Sequence, residues 1–265
     1  MADALSPRSA PALPLNRALS TTTPPTSQTR NKRHALLELA LGYGLILLVL
    51  WVPRPLERPL YILAALVIAS ILWIGFTTAQ SMGLRSTNSL CSLCIVAIAL
   101  LLSAVSVTLA VHFQTLHPVH GPIAFCKRYW GYALWSFVQQ LLLQDFFLRR
   151  LRLLLPSAGL AALIAAAIFS IAHLPSPVLT VVTFILGLVA YLLFLRYRNL
   201  YPLAIAHAIL GITIAITLPS PLIRNMRVGC GYFTYTPHRH PRRNHSDHVA
   251  STSACVIAGA PTLSS

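Results

Sequence analysis

Acidic side chains are almost missing from this chain: five Asp and Glu stand against twenty Lys and Arg in 265 residues, and charged residues of either sign make up only 9%. Globular domains carry about 25% charged residues, so an ordinary soluble surface is excluded. The 56% hydrophobic residues and a mean hydropathy of +0.70 point instead to an integral membrane protein, with the lipid bilayer as its first partner. Also lacking is a basic stripe interleaved with aromatics. The net charge of +15 is spread between apolar stretches and over the two ends, which marks topology and gives no nucleic-acid partner. The first 34 residues lack any apolar core of the ~7 to 15 residues that a signal peptide needs, and their Pro, Ser, Thr and Ala read as a disordered tail. No repeat of fixed period occurs. Among five cysteines, Cys91 and Cys94 form one CxxC without a second pair or histidines at zinc spacing, so they read as small packing residues. The histidines of "PHRHPRRNHSDH" read as part of a solvated polar tail.

What the chain does have is long apolar runs: 35–52, 59–78, 92–112, 130–148, 156–174, 177–195 and 200–218. Each is near the ~20 residues that cross a bilayer, which predicts an all-α polytopic membrane protein of about seven transmembrane helices. The expected organisation is a tail over 1–34, three helices over 35–124, a core of four helices over 125–218 and a polar, disordered tail over 219–265. With the loops alternating between two sides, the amino-terminal side collects eleven basic residues: Arg8, Arg17, Arg30, Lys32, Arg33, Arg85, Arg149, Arg150, Arg152, Arg196 and Arg198. The other side holds Arg54, Arg58, Lys127, Arg128, Arg224 and Arg227, with Arg239, Arg242 and Arg243 in the distal tail. This bias predicts a cytoplasmic amino terminus in the cell (plasma) membrane.

Ionisable residues inside spans cost ~2.5 to 3.5 kcal/mol each at a helix centre on insertion scales and mark sites or pathways. Asp145 is the acidic residue placed well inside a span, in "LLLQDFFLRRLRLLLP", and His173 and His207 are the histidines inside spans. Two histidines and a carboxylate are the inventory of a general acid/base site. Reckoned at 1.5 Å of rise per residue from the adjacent turns, they lie about 16, 25 and 12 Å deep. That scatter permits a shared cavity only with help from helix tilt. The run "AGLAALIAAA" lets its helix approach its neighbours closely.

Gln144, Asp145 and Arg149 fall on a Glu-Glu-x-x-x-Arg pattern, Phe169 and His173 on Phe-x-x-x-His, and His207 on a histidine followed four residues later by Asn or Asp. In these motifs, their order and their separations, residues 125–218 resemble the CAAX protease and bacteriocin-processing (CPBP) family. The resemblance implies an all-helical membrane fold and intramembrane endopeptidase activity like that of the type II CAAX prenyl endopeptidases. It further implies a peptide or membrane-protein substrate and metal-independent hydrolysis, with no cofactor. Asp145, His173, His207, Gln144 and Arg149 are then the candidate catalytic residues, with Asp145 activating water and the histidines assisting. Two positions depart from the pattern: Gln144 replaces the first glutamate, and a neutral amide takes no proton from water, while Gly211 stands where Asn or Asp is expected. Asp145 and Arg149, at i and i+4, are expected to pair on one helix face, and Phe169 to pack one turn before His173. Arg150 and Arg152 read as interfacial anchors. Two hydrogen-bonding histidines and a carboxylate leave a divalent metal open. Beside the peptidase stand a catalytically inactive relative acting as a binding or immunity-type membrane partner, and a proton-coupled transporter, which would show paired broken helices in two halves.

Overall fold

The computed structural model describes residues 25–75, 78, 82–84, 89–117 and 121–235. Among them every regular element is helical: α1 (Pro25–Trp51), α2 (Arg54–Ile74), α3 (Ser89–His112), α4 (Pro122–Leu141), α5 (Arg149–Leu154), α6 (Ala158–Ile171), α7 (Pro177–Tyr197), α8 (Tyr201–Thr217), and the short α9 (Ser220–Ile223) and α10 (Cys230–Phe233). A π-helical stretch, Leu142–Leu148, joins α4 to α5, so one continuous helical run carries the chain from Pro122 to Leu154.

Each of the seven apolar runs carries a helix, but four helical segments are long and apolar enough to cross a membrane: Asn31–Trp51, Pro55–Ile74, Leu93–His112 and Pro177–Tyr197. Two shorter apolar helices, α6 and α8, have 14 and 17 residues; at 1.5 Å per residue they reach about 21 and 26 Å, short of the ~30 Å hydrocarbon layer. The outer helices show large apolar side chains on the surface, Trp73 at 82% and Ile74 at 84% exposure among them. Such a coat suits lipid contact and not water.

α1 begins at Pro25, inside the segment expected as tail. Proline is favoured in the first turn of a helix, and the polar residues that follow carry no strong helix breaker. Residues 1–24 and 236–265 lie outside the described residues.

The core forms around the π stretch. Leu143, Gln144, Asp145, Phe146, Phe147 and Leu148 are all at most 5% exposed. A helix buried on every side is a central helix; Asp145 thus points into protein and not lipid. α6 closes on it through Ala161, Ala162, Ala165 and Ala166, each fully buried, and packs along α7 as its small side chains allow. Tyr43 and Tyr191 donate to the carbonyls of Ile168 and Ala165, at 2.9 and 3.3 Å. α8 lies between α3 and α4.

The segment after α8 departs from the expected disordered tail. Residues 219–235 fold back across the end of the bundle: Gly229 N–H donates to the Leu174 carbonyl at 2.8 Å, and Cys230 Sγ donates to the Trp51 carbonyl at 3.1 Å. Gly229 has φ +56°, and a Cβ there would fall on the Leu50 carbonyl oxygen, so this close approach requires glycine. Ile223, 1% exposed, anchors the segment.

Candidate active site

His173 and His207 converge, although spacing alone set them at different depths. His173 lies in the turn just past α6, and His207 in the middle of α8. Phe169 stands between them: its ring centroid is 4.7 Å from that of His173, edge-on at 78°, and 6.2 Å from that of His207. Helix stagger and tilt supply what the spacing left open. The expected packing of Phe169 one turn before His173 is observed.

Each imidazole is held by a partner that fixes its protons. His173 Nδ1 faces the Phe169 carbonyl at 2.9 Å; a carbonyl only accepts, so Nδ1 carries the proton and Nε2 is left with its lone pair. Gln140 Nε2 faces His207 Nδ1 at 2.9 Å; the amide nitrogen donates, so His207 Nδ1 accepts and Nε2 carries the proton. Gln140 Oε1 in turn accepts from Gln144 Nε2 at 3.2 Å. The two histidines are therefore held in opposite tautomers.

Both line one cavity of about 1000 Å³. Tyr43 of α1, Tyr132 and Gln140 of α4, Phe169 of α6 and Gly211 of α8 share its wall, and Asn225, Met226 and Val228 of the folded-back segment close part of it. A Cβ on Gly211 would fall on the Tyr132 hydroxyl, so that phenol occupies the space a side chain at 211 would take, one helical turn from His207. Among the groups the cavity presents on largely apolar walls are an imidazole base, an imidazole donor and the Tyr132 phenol, a setting in which hydrogen bonds to a developing charge are strengthened.

Asp145 and Arg149 are placed elsewhere. Asp145 is 2% exposed, its Oδ2 has no hydrogen-bond partner among the described residues, and it is not among the residues lining the cavity; neither is Gln144. The expected Asp145–Arg149 pair is not formed. Arg149 is exposed and donates to the Gly75 carbonyl at 3.1 Å. The i→i+5 geometry of the π stretch brings residue 150 back over the backbone of residue 145, while the Arg149 charge acts on the Asp145 carboxylate without an ion pair. Arg150 Nη1 donates to the Asp145 and Phe146 carbonyls at 3.2 and 3.0 Å, and its guanidinium stacks 4.3 Å from the Phe146 ring centroid. Arg150 Nε also pairs with Glu38 Oε2 at 2.7 Å. Arg150 is therefore a buried tie between α5 and α1, where an interfacial anchor was expected.

Sequence reasoning missed Gln140 and Tyr132. The signal was present: Tyr132, Ser136, Gln140 and Gln144 recur every four residues and make a polar stripe on an apolar helix. Among the described residues no three His, Cys, Asp or Glu side chains gather as metal ligands would.

Residues 130–213 match the family model described as type II CAAX prenyl endopeptidase, Rce1-like. No curated protein and no solved structure matches the chain. The matched segment runs from α4 through the π stretch to α8 and contains both histidines, so over residues 130–213 the chain is similar to the Rce1-like type II CAAX prenyl endopeptidases.

Proposed function

We propose that this integral membrane protein is an endopeptidase that hydrolyses a peptide bond of a peptide or membrane-protein substrate within the bilayer, using the histidine cavity as its site. The observation that carries the reading is the pair of opposite tautomers facing one cavity. His173 Nε2, with its lone pair, takes a proton from water as the water oxygen bonds to the scissile carbonyl carbon. His207 Nε2–H donates to the oxyanion that forms. As the C–N bond breaks, the His173 imidazolium returns its proton to the leaving nitrogen. Every proton is accounted for with neither metal nor cofactor, and hydrolysis is expected to proceed unchanged in the presence of a chelator.

In this scheme Asp145, buried behind the cavity wall, acts on the helix that carries Gln140 and Gln144 and not on water. Arg149 serves from outside, by its bond to Gly75. The amino terminus is proposed to be cytoplasmic in the plasma membrane. The position of Cys230 beside Trp51, at the far end of α1, supports an opposite side for the carboxy-terminal segment.

The test is cleavage of a fluorogenic peptide series by the protein in vesicles. Wild type is expected to cleave and His173→Ala and His207→Ala to be inert. A second reading, a relative that binds and does not cut, is favoured by the neutral amide of Gln144 and by the phenol filling the space at Gly211. It gains if wild type and Gln144→Glu both leave every peptide intact while still retaining one of them.

A further inference from the structure

Gln140 lies between two groups that decide its orientation. An amide has two faces, one that only donates and one that only accepts. In this chain the accepting face is turned to Gln144 Nε2 at 3.2 Å, which leaves the donating face for His207 Nδ1 at 2.9 Å. Gln140 is 3% and Gln144 1% exposed, so both bonds lie away from bulk water. A buried hydrogen-bonded series of this kind transmits orientation, because reversing one member leaves its neighbour unsatisfied unless that one reverses too.

We infer that residue 144 sets the tautomer of His207 through Gln140, a positioning residue: with the Gln144 NH₂ on Gln140 Oε1, as here, the imidazole presents Nε2–H to the cavity, while Gln144 Oε1 itself has no partner among the described residues. A carboxylate at 144 offers only acceptors. Gln140 would then turn its NH₂ to residue 144 and its oxygen to His207, whose Nδ1 must donate. Nε2 would be left with a lone pair, as on His173, and the cavity would hold two bases and no imidazole donor. The exchange of Gln for Glu at this buried position, outside the cavity, thus changes what the cavity offers a carbonyl. The catalytic consequence rests on the proposed peptidase reading; the tautomer itself does not.

The experiment is ¹⁵N NMR of the full chain in lipid nanodiscs at neutral pH with ¹⁵N-labelled histidine, since protonated and unprotonated imidazole nitrogens resonate far apart. The His207 signals are those lost in His207→Asn. In wild type, Nε2 is expected in the protonated region and Nδ1 in the unprotonated one. In Gln144→Glu the two should exchange, and likewise in Gln140→Glu, where the carboxylate itself accepts from Nδ1. His173, held at Nδ1 by the Phe169 carbonyl, keeps its pattern in every variant and reports that the site is folded. A wild-type His207 protonated at Nδ1, or an unchanged pattern in a variant whose His173 signals are intact, overturns the inference; if one variant misfolds, the other decides. The expected exchange without any cleavage would sink the peptidase reading and leave this one standing.

Discussion

Five residues apart on one helical run, Gln140 and Asp145 are both buried, yet their surroundings differ. Gln140 has both amide faces bonded and lines the cavity beside His207. Asp145 has an oxygen with no hydrogen-bond partner among the described residues and lies outside the cavity lining, near the end that carries Arg149 and Arg150. The residue that draws the eye in the sequence, a lone carboxylate in an apolar run, is thus not the one positioned against the working space. A cheaper polar group, an amide, is. Burial of a charge attracts notice through its cost, but position relative to the reacting atoms decides the chemistry.

The largest effect that would break this contrast is at the histidines. His173→Ala and His207→Ala are each expected to lower kcat by roughly 10² to 10⁴, the range for a positioned proton-transfer group. The double variant should be little worse than either, because groups sharing one step are non-additive. Full activity in either single variant removes that histidine from the site. Next, Asp145→Asn should keep kcat within about tenfold of wild type, far from the loss that removal of an acid/base group brings. A loss matching that of the histidines would return Asp145 to the water-activating role that the sequence motif suggests. A smaller effect concerns stability: Arg150→Ala removes a buried charged donor and should cost about 1 to 3 kcal/mol, whereas exposed Arg149→Ala should cost less than about 1 kcal/mol, read by denaturant unfolding in micelles. Equal costs would mean that the π register does not sort the two arginines. The last measurement changes nothing in the molecule's energy: with the other native cysteines replaced, a cysteine at Leu5 and the native Cys255 should label from opposite sides of intact cells, and labelling from one side would refute the topology.

The helical class and the pairing of His173 with His207 were legible because apolar runs and intramembrane imidazoles are both expensive and therefore informative. The inverted roles of Arg149 and Arg150 were not. A pattern read at 3.6 residues per turn has no way to anticipate a stretch that advances by i→i+5, and the π geometry leaves no compositional mark in "LLQDFFL". Helix ends were not legible for a related reason, since hydropathy measures how apolar a stretch is and not where its helix stops: α6 ends at Ile171, and His173 belongs to a turn. Residues 219–235 read as tail because Arg, Gly and Pro dilute their apolar residues, while much of what holds them, beside buried Ile223, is hydrogen bonding and one close glycine contact, neither visible as hydropathy. The stripe of Tyr132, Ser136, Gln140 and Gln144 was there to be read, and amides at helical spacing in an apolar segment deserve the same attention as charges.

The π stretch also makes the length of the chain adjustable by a single residue. Deleting one residue between Asp145 and Arg149 would turn the i→i+5 relation of residues 145 and 150 into the i→i+4 relation of an ordinary α-helix, with the chain beyond left nearly where it is. Arg150 would then stand one ordinary turn after Asp145 and keep its reach to Glu38 on α1, while α4 and Gln140 stayed where they are. A lineage that lost that one residue would keep both its cavity and the contact that ties the first helix to the core.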